Sequence, residues 1–255
     1  MQGQYIEING TELYYEESGN GDNLILIHTA GTDGRIWMDA AARLSSRFRV
    51  FNIDLPGHGK SIPWRNWRRN RPTVEFYAAT ITEFLNKLSL DKVSVLGCSI
   101  GADVALALAA GNDKRIERVY AMEGAAKTDT FKESEILSTD PYDLARTFNF
   151  CGPMALKQNM EKLYWIRTSN NRDIYIGDLL AWNNFDMREK LKEANIPVIL
   201  LRGIDDPVVS EEMVRETVKL NRKFKMHQIE GLGHYPMIEN PDLFVTKFFE
   251  ITGSR

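Results

Sequence analysis

Cysteine is scarce: Cys98 and Cys151 are the only two in 255 residues. Two thiols cannot build the disulfide framework of a small secreted domain. Neither sits in a Cys-x-x-Cys pair or at metal-ligand spacing from a histidine, so free thiols and no metal site are expected. Long hydrophobic runs are missing too: no stretch reaches the roughly 18 apolar residues of a membrane helix. The opening MQGQYIEING has neither the basic start nor the apolar run of a signal peptide, so a cytoplasmic protein without a membrane partner is expected. Excess positive charge is absent: 32 Lys plus Arg stand against 35 Asp plus Glu, a net charge of -3. That balance argues against nucleic acid as a partner and for a small molecule. Internal repeats and low-complexity runs are also lacking.

What is present is an ordinary globular composition, 43% hydrophobic and 26% charged, in a chain long enough for one large domain or two small ones. Alternating runs Gln4 to Asn9 and Thr11 to Glu16 flank Asn9-Gly10, the pair favoured in a primed hairpin turn. Six apolar runs of buried-strand length follow: Leu24 to His28, Val50 to Asp54, Val93 to Gly97, Val119 to Met122, Val198 to Arg202 and Phe224 to Ile229. Helical patterns separate them at Ile36 to Ser45, Thr73 to Leu88, Ala102 to Ala110, Glu211 to Leu220 and Asp242 to Ile251. Strands alternating with helices imply right-handed crossovers. The expected fold class is α/β, a mostly parallel eight-stranded sheet flanked by helices.

The alternation fails once, between Val119 to Met122 and Val198 to Arg202. Residues 125–186 therefore read as an insertion into a core made of 1–124 and 187–255. Its nine aromatics are Phe131, Tyr142, Phe148, Phe150, Tyr164, Trp165, Tyr175, Trp182 and Phe185. They fit either a small helical subdomain with its own core or a lid whose aromatics line a substrate pocket. Trp165 and Trp182 are the substrate contacts expected from it, with Thr29 and Tyr235 from the core.

The strand Val93 to Gly97 runs into Gly97-Cys98-Ser99-Ile100-Gly101 and then an Ala-rich helix. Gly-x-Ser-x-Gly at a strand-turn-helix junction holds a serine on a tight, strained turn, with glycines letting the flanking backbones approach. Without that role the motif is only a Gly-rich connection. A serine hydroxyl needs a base oriented by a carboxylate. Of the four histidines, His234 in Gly231-Leu232-Gly233-His234-Tyr235 follows the last strand and is the expected base. His227 shares a strand face with Lys225 and reads as solvent-facing; His58, in Pro56-Gly57-His58-Gly59, reads as a loop stabiliser. The loop His28-Thr29-Ala30-Gly31-Thr32 carries small residues after a buried strand, which lets amides approach a carbonyl oxygen. Ala30 and Ile100 N–H are the expected oxyanion donors, each worth about 3 to 4 kcal/mol on the developing charge. Cys98 reads as a small buried residue or a redox control on the elbow. Trp64, Trp67 and the arginines 65, 68, 69 and 71 form either a solvated loop or a gate for an anionic substrate.

Hairpin, His-x-x-Gly loop, Asp54-Leu55-Pro56-Gly57-His58-Gly59-Lys60-Ser61, elbow, insertion, Gly203-Ile204-Asp205-Asp206 and the late Gly233-His234 occur in that order. Over essentially the whole chain this resembles the lidded α/β-hydrolase superfamily. The resemblance implies a Ser, acid, His triad, an oxyanion hole and a helical lid. The chain departs from the family in starting its oxyanion loop His28-Thr29 rather than His-Gly. For the acid, Asp206 matches the usual Gly-x-x-Asp position. Glu123, ending the strand Val119 to Met122, resembles the alternative acid of zearalenone-type lactonases and some haloalkane dehalogenases. Either could be the acid, and the other a supporting or substrate-binding carboxylate.

Three functions remain open. One is hydrolysis of a carboxylic ester or lactone of a small apolar substrate; a second is hydrolysis of a carbon–carbon bond in a dicarbonyl; the third is ligand binding without catalysis. Serine at position 99 argues against attack on saturated carbon, which needs a carboxylate nucleophile. No cofactor is called for, and a monomer or homodimer is expected.

Overall fold

The computed structural model describes residues 2–140 and 143–253; Tyr142 lies outside them. Eight strands form one sheet in the order β1-β2-β4-β3-β5-β6-β7-β8. They are β1 (Gln2–Ile8), β2 (Thr11–Ser18), β3 (Asp22–Ile27), β4 (Phe48–Ile53), β5 (Val93–Cys98), β6 (Ile116–Met122), β7 (Val198–Gly203) and β8 (Phe224–Ile229). Asn9 and Gly10, both at positive φ (52° and 77°), make the hairpin turn that pairs Ile8 with Thr11. β1, β2 and β4 run antiparallel, and every pairing from β4 through β3 to β8 is parallel.

The central strands are apolar on both faces because both faces are covered. Ile25, Ile27, Val93, Val95, Val198 and Leu200 point to one cluster. Their neighbours Leu24, Leu26, Leu96, Ile199 and Leu201 point to the other. The first cluster includes residues of α2 (Val74–Lys87) and α3 (Ile100–Gly111). The second includes residues of α1 (Met38–Leu44) and of α11, the C-terminal helix Pro241–Thr252. β8 departs from the expected buried run: Lys225 and Gln228 are exposed and His227 is half-buried. It is an edge strand, and a charge there discourages pairing with another chain.

Among the described residues, the segment between β6 and β7 holds five helices: α4 (Glu133–Leu137), α5 (Leu144–Asn149), α6 (Lys157–Thr168), α7 (Arg172–Asn183) and α8 (Arg188–Lys192). Its separate apolar cluster has just three buried members, Ile136, Ile176 and Leu180. Trp182, Phe185, Met187 and Leu191 belong instead to the main core. Among the described residues this leaves little independent core, and the helices are seated on the sheet domain. The remaining helices, α9 (Glu211–Lys219) and the four-residue α10 (Pro236–Glu239), flank β8. No helix of the described residues is long and apolar enough to cross a membrane.

The sheet reverses its winding at β3, which lies between β4 and β5. In open α/β sheets such a switch point opens a crevice beyond the carboxyl ends of the two strands. Here those ends carry the loop from His28 and the turn at Ser99. His28 is wholly buried; Leu55 N–H donates to its Nε2 at 3.0 Å, and its Nδ1 faces Thr29 O at 2.9 Å. Burial, followed by the nearby His58, pushes its pKa down to about 4, so the ring is neutral and anchors the loop.

One carboxylate ties α7 to this region. Asp178 is fully buried; its Oδ1 accepts from Tyr77 Oη (2.7 Å), and its Oδ2 from His58 Nε2 (2.7 Å) and Gly31 N–H (3.2 Å). His58 Nδ1 faces Pro56 O at 3.2 Å, so both ring nitrogens meet acceptors and the ring is a cation. Burial acts to lower its pKa, but Asp178 and the Pro56 carbonyl outweigh burial and leave it raised. Removing one partner of a buried ion pair strands the other. Asp178→Ala is therefore expected to lose about 3 to 5 kcal/mol of unfolding free energy in urea titration, with Asp178→Asn losing less.

Candidate active site

The site begins with three backbones in contact. A Cβ on Gly97 would stand 1.9 Å from Gly101 O, and one on Gly101 would stand 2.5 Å from Ile27 O. Only hydrogens fit, so β5, α3 and β3 close up around the turn. Between the glycines Ser99 takes φ 57° and ψ -122°, a conformation disfavoured for any residue with a Cβ. Its N–H donates to Met122 O at 2.9 Å. The turn sets Ser99 at the N-terminus of α3, where the helix dipole favours negative charge.

His234 is held by its neighbours. Its N–H donates to Phe150 O (2.7 Å), and the amides on either side, Gly233 and Tyr235, donate to Glu239 at 2.7 and 2.8 Å. Glu239 also accepts from Gly152 N–H at 2.9 Å, so one buried carboxyl joins the histidine loop to the inserted segment. The ring Nδ1 donates to Asp206 Oδ2 at 3.0 Å. Asp206 further accepts from Val208 N–H (2.7 Å) and Val209 N–H (3.3 Å). Burial acts to raise its pKa, but the His234 charge and hydrogen bonds from His234, Glu123 and Val208 outweigh it, and the carboxyl stays below its ordinary range.

Ser99, His234, Thr29, Ala30, Trp182 and Tyr235 line one cavity of about 30 Å³, with Phe131, Phe150, Tyr175, Leu179 and Val208 completing its wall. Ser99 is 6% and His234 4% exposed. The N–H groups of Ala30 and Ile100 have no acceptor among the described residues, which leaves both available to a ligand oxygen. Gly31, at φ 62°, lets this loop run under Tyr175, whose ring a Cβ would meet at 2.4 Å.

The remaining residues singled out in the sequence fall elsewhere. Trp165 is a correction: it is 72% exposed on α6 and lies in a surface groove with Met38 and Lys162, away from Ser99. An indole at the outer face of a helix looks identical in sequence to one at its inner face. Glu123 does not bond the imidazole. It is fully buried beside Asp206, and burial, then the Asp206 charge, pushes its pKa well above the ordinary carboxyl value. The arginine loop is absent from the cavity wall. There Trp64 packs on Phe76 (5.0 Å between centroids) and donates to Asn70 O at 2.9 Å, while Arg68 covers Trp67. Cys98 is buried with its thiol on His234 O at 3.4 Å, and burial raises its pKa well above the usual value, so it stays a protonated, unreactive thiol. Among the described residues no group of three or more His, Cys, Asp or Glu has the arrangement of a metal site.

Two residues that matter here escaped the sequence reading, Asp178 and Glu239. The signal for Glu239 is weak but real: an acid at the first turn of a helix just after a Gly-rich loop satisfies loop amides. Asp178 lies within an amphipathic helix, and nothing local distinguishes it from a solvated acid.

Comparison with known proteins agrees with this fold. The profile described as "Alpha/beta hydrolase family" matches residues 24–247. The pimeloyl-(acyl-carrier protein) methyl ester esterase of Methylococcus capsulatus is 26% identical over 244 residues, covering 89% of this chain and 92% of that protein. The enol-lactonase of Burkholderia xenovorans superposes with a TM-score of 0.82 at 22% identity, covering 98% and 100% of the two chains. An esterase of Exiguobacterium antarcticum does so at 0.87 and 18%, covering 99% and 100%.

Backbone strain of this kind costs about 1 to 3 kcal/mol. Ser99→Gly is therefore expected to raise unfolding free energy by about 1 kcal/mol or more, measured by urea titration. A loss of stability would contradict the strain.

Proposed function

Since the chain belongs to the alpha/beta hydrolase family, we propose that it is a serine hydrolase cleaving a carboxylic ester or lactone of a small, largely apolar substrate through an acyl-enzyme. The observation that carries this reading is the His234–Asp206 bond beside a strained serine in a common cavity. Asp206 fixes the imidazole with Nδ1 protonated, leaving Nε2 as the base. Ser99 Oγ attacks the carbonyl carbon and its proton passes to Nε2. The oxygen, now negative, is held by the amides of Ala30 and Ile100. As the tetrahedral species collapses, Nε2–H protonates the departing alkoxide. A water then gives its proton to the same nitrogen, attacks the acyl carbon, and frees the acid and the serine.

On this reading Asp206, not Glu123, is the acid, and the triad differs from the lactonase-like arrangement with a β6 glutamate. Thr29, Trp182 and Tyr235 become walls of the acyl pocket. No Lys or Arg lines the cavity among the described residues, which favours an uncharged acyl group over the acidic dicarbonyl of a carbon–carbon hydrolase. A cavity of about 30 Å³ is far smaller than the roughly 300 to 1,000 Å³ of a typical small-molecule site. Substrate entry therefore requires residues 125–186 to move as a lid. The esterase and enol-lactonase among its relatives support bond type only; alcohol and acyl chain lie with the lid residues.

Ser99→Ala is expected to abolish hydrolysis of p-nitrophenyl butyrate while circular dichroism and the unfolding transition remain those of a folded protein. Activity at the wild-type level in that variant would remove the nucleophile, and no hydrolysis of any ester or lactone by the wild type would favour a ligand-binding role. Asp206→Asn is expected to lower kcat by up to about 10⁴-fold, and Glu123→Gln by orders of magnitude less.

A further inference from the structure

Glu123 closes β6 next to Asp206, yet the proposed reaction gives it no part. It is fully buried, with its backbone at φ 50°, a conformation a non-glycine residue adopts only when its surroundings hold it there. Oε1 accepts from Gly203 N–H at 2.5 Å. Oε2 meets no N–H or O–H donor among the described residues, and the side chain faces the carboxyl of Asp206. Two ionised carboxyls facing one another away from water are opposed by both desolvation and repulsion. A proton on Oε2 turns that conflict into a hydrogen bond and gives the orphaned atom its partner. The proton belongs on Glu123, because Asp206 already accepts from Val208 N–H, Val209 N–H and His234 Nδ1–H.

We propose that Glu123 is a positioning residue: a neutral carboxylic acid whose Oε2–H donates to Asp206, fixing that carboxylate and tempering its pull on the His234 ring. This rests on the triad proposed above and adds to it a control on the basicity of His234. The other ionisable groups nearby leave the role to Glu123. Cys98, on β5, is a protonated thiol. Arg202, on β7, spends its N–H groups on the carbonyls of Val209, Ile204 and Asp206. Glu239 is occupied by three backbone amides. A proton donated to Asp206 draws off part of its negative charge, so an imidazolium at His234 is less stabilised than it would be beside an unshared carboxylate.

The test compares wild type, Glu123→Gln and Glu123→Ala. Gln keeps both contacts, its oxygen for Gly203 and its amide N–H for Asp206; Ala keeps neither. Three readouts are taken: the pH profile of kcat/KM on p-nitrophenyl butyrate, NMR titration of the His234 ring, and the infrared stretch of a neutral carboxylic acid at pH 7. In Glu123→Ala the His234 pKa and the acid limb are expected to rise by about one unit, a tenfold change in the protonation equilibrium, with kcat falling more than KM rises. Glu123→Gln is expected to bring both back to within about 0.3 unit of wild type. It is also expected to lose one neutral-acid band that wild type shows. A fall in the His234 pKa of about a unit or more in Glu123→Gln would mean a negative charge had been removed, and would overturn the proposal. So would identical acid bands in the two proteins. Should Glu123→Ala not fold, the Gln variant and the infrared difference still decide. NMR and infrared need no turnover, so a wild type inert towards esters would sink the hydrolase reading while leaving the test of Glu123 intact.

Discussion

Everything at the site depends on three backbones meeting without side chains between them. Gly97 and Gly101 let β5, α3 and β3 approach to distances no Cβ tolerates, and the turn they frame holds Ser99 at positive φ. The same closure brings the β3 loop, with the unengaged amide of Ala30, alongside the N-terminus of α3, with that of Ile100. The Ser99 turn and the two free amides, the oxyanion donors of the proposed reaction, are thus set by main-chain packing, which side-chain motion cannot relax. Such preorganisation is where most electrostatic stabilisation of a charged intermediate originates.

Around this frame lie several buried carboxyls, each in a different state because each meets a different set of partners. Asp206 keeps its charge through donors from an imidazole and two amides. Asp178 is matched by the His58 cation and a tyrosine hydroxyl. Glu239 is dispersed over three loop amides. Asp103, on α3, has one oxygen near Thr128 and the other without a partner, and burial pushes its pKa well above normal. Asp178, Glu239 and Asp103 thereby fasten loops and the inserted segment to the sheet domain, through His58 and Tyr77, Gly152 and Thr128 respectively.

Sheet, helix order and elbow were legible because each is local. Val93 to Cys98 has the run of a strand buried on both faces, and Gly-x-Ser-x-Gly follows at once. The end of β6 and the histidine loop were legible for the same reason. What local pattern could not supply was the third dimension of the insertion. Trp165 and Trp182 sit on adjacent helices with similar neighbours, yet one is 72% and the other 2% exposed. Asp206 and Glu123 end neighbouring strands, and both are buried in reach of the same loop. Only the direction of the His234 ring separates them, and the backbone that carries the ring is held both by nearby Glu239 and by the carbonyl of Phe150, which lies far off in sequence.

The wall of the small chamber beside Ser99 is mostly aromatic: Phe131, Phe150, Tyr175, Trp182 and Tyr235. Such side chains turn about two torsions only and pack as rigid plates. Widening the chamber therefore calls for displacement of the segments that carry the rings, since rearranging side chains in place frees little room.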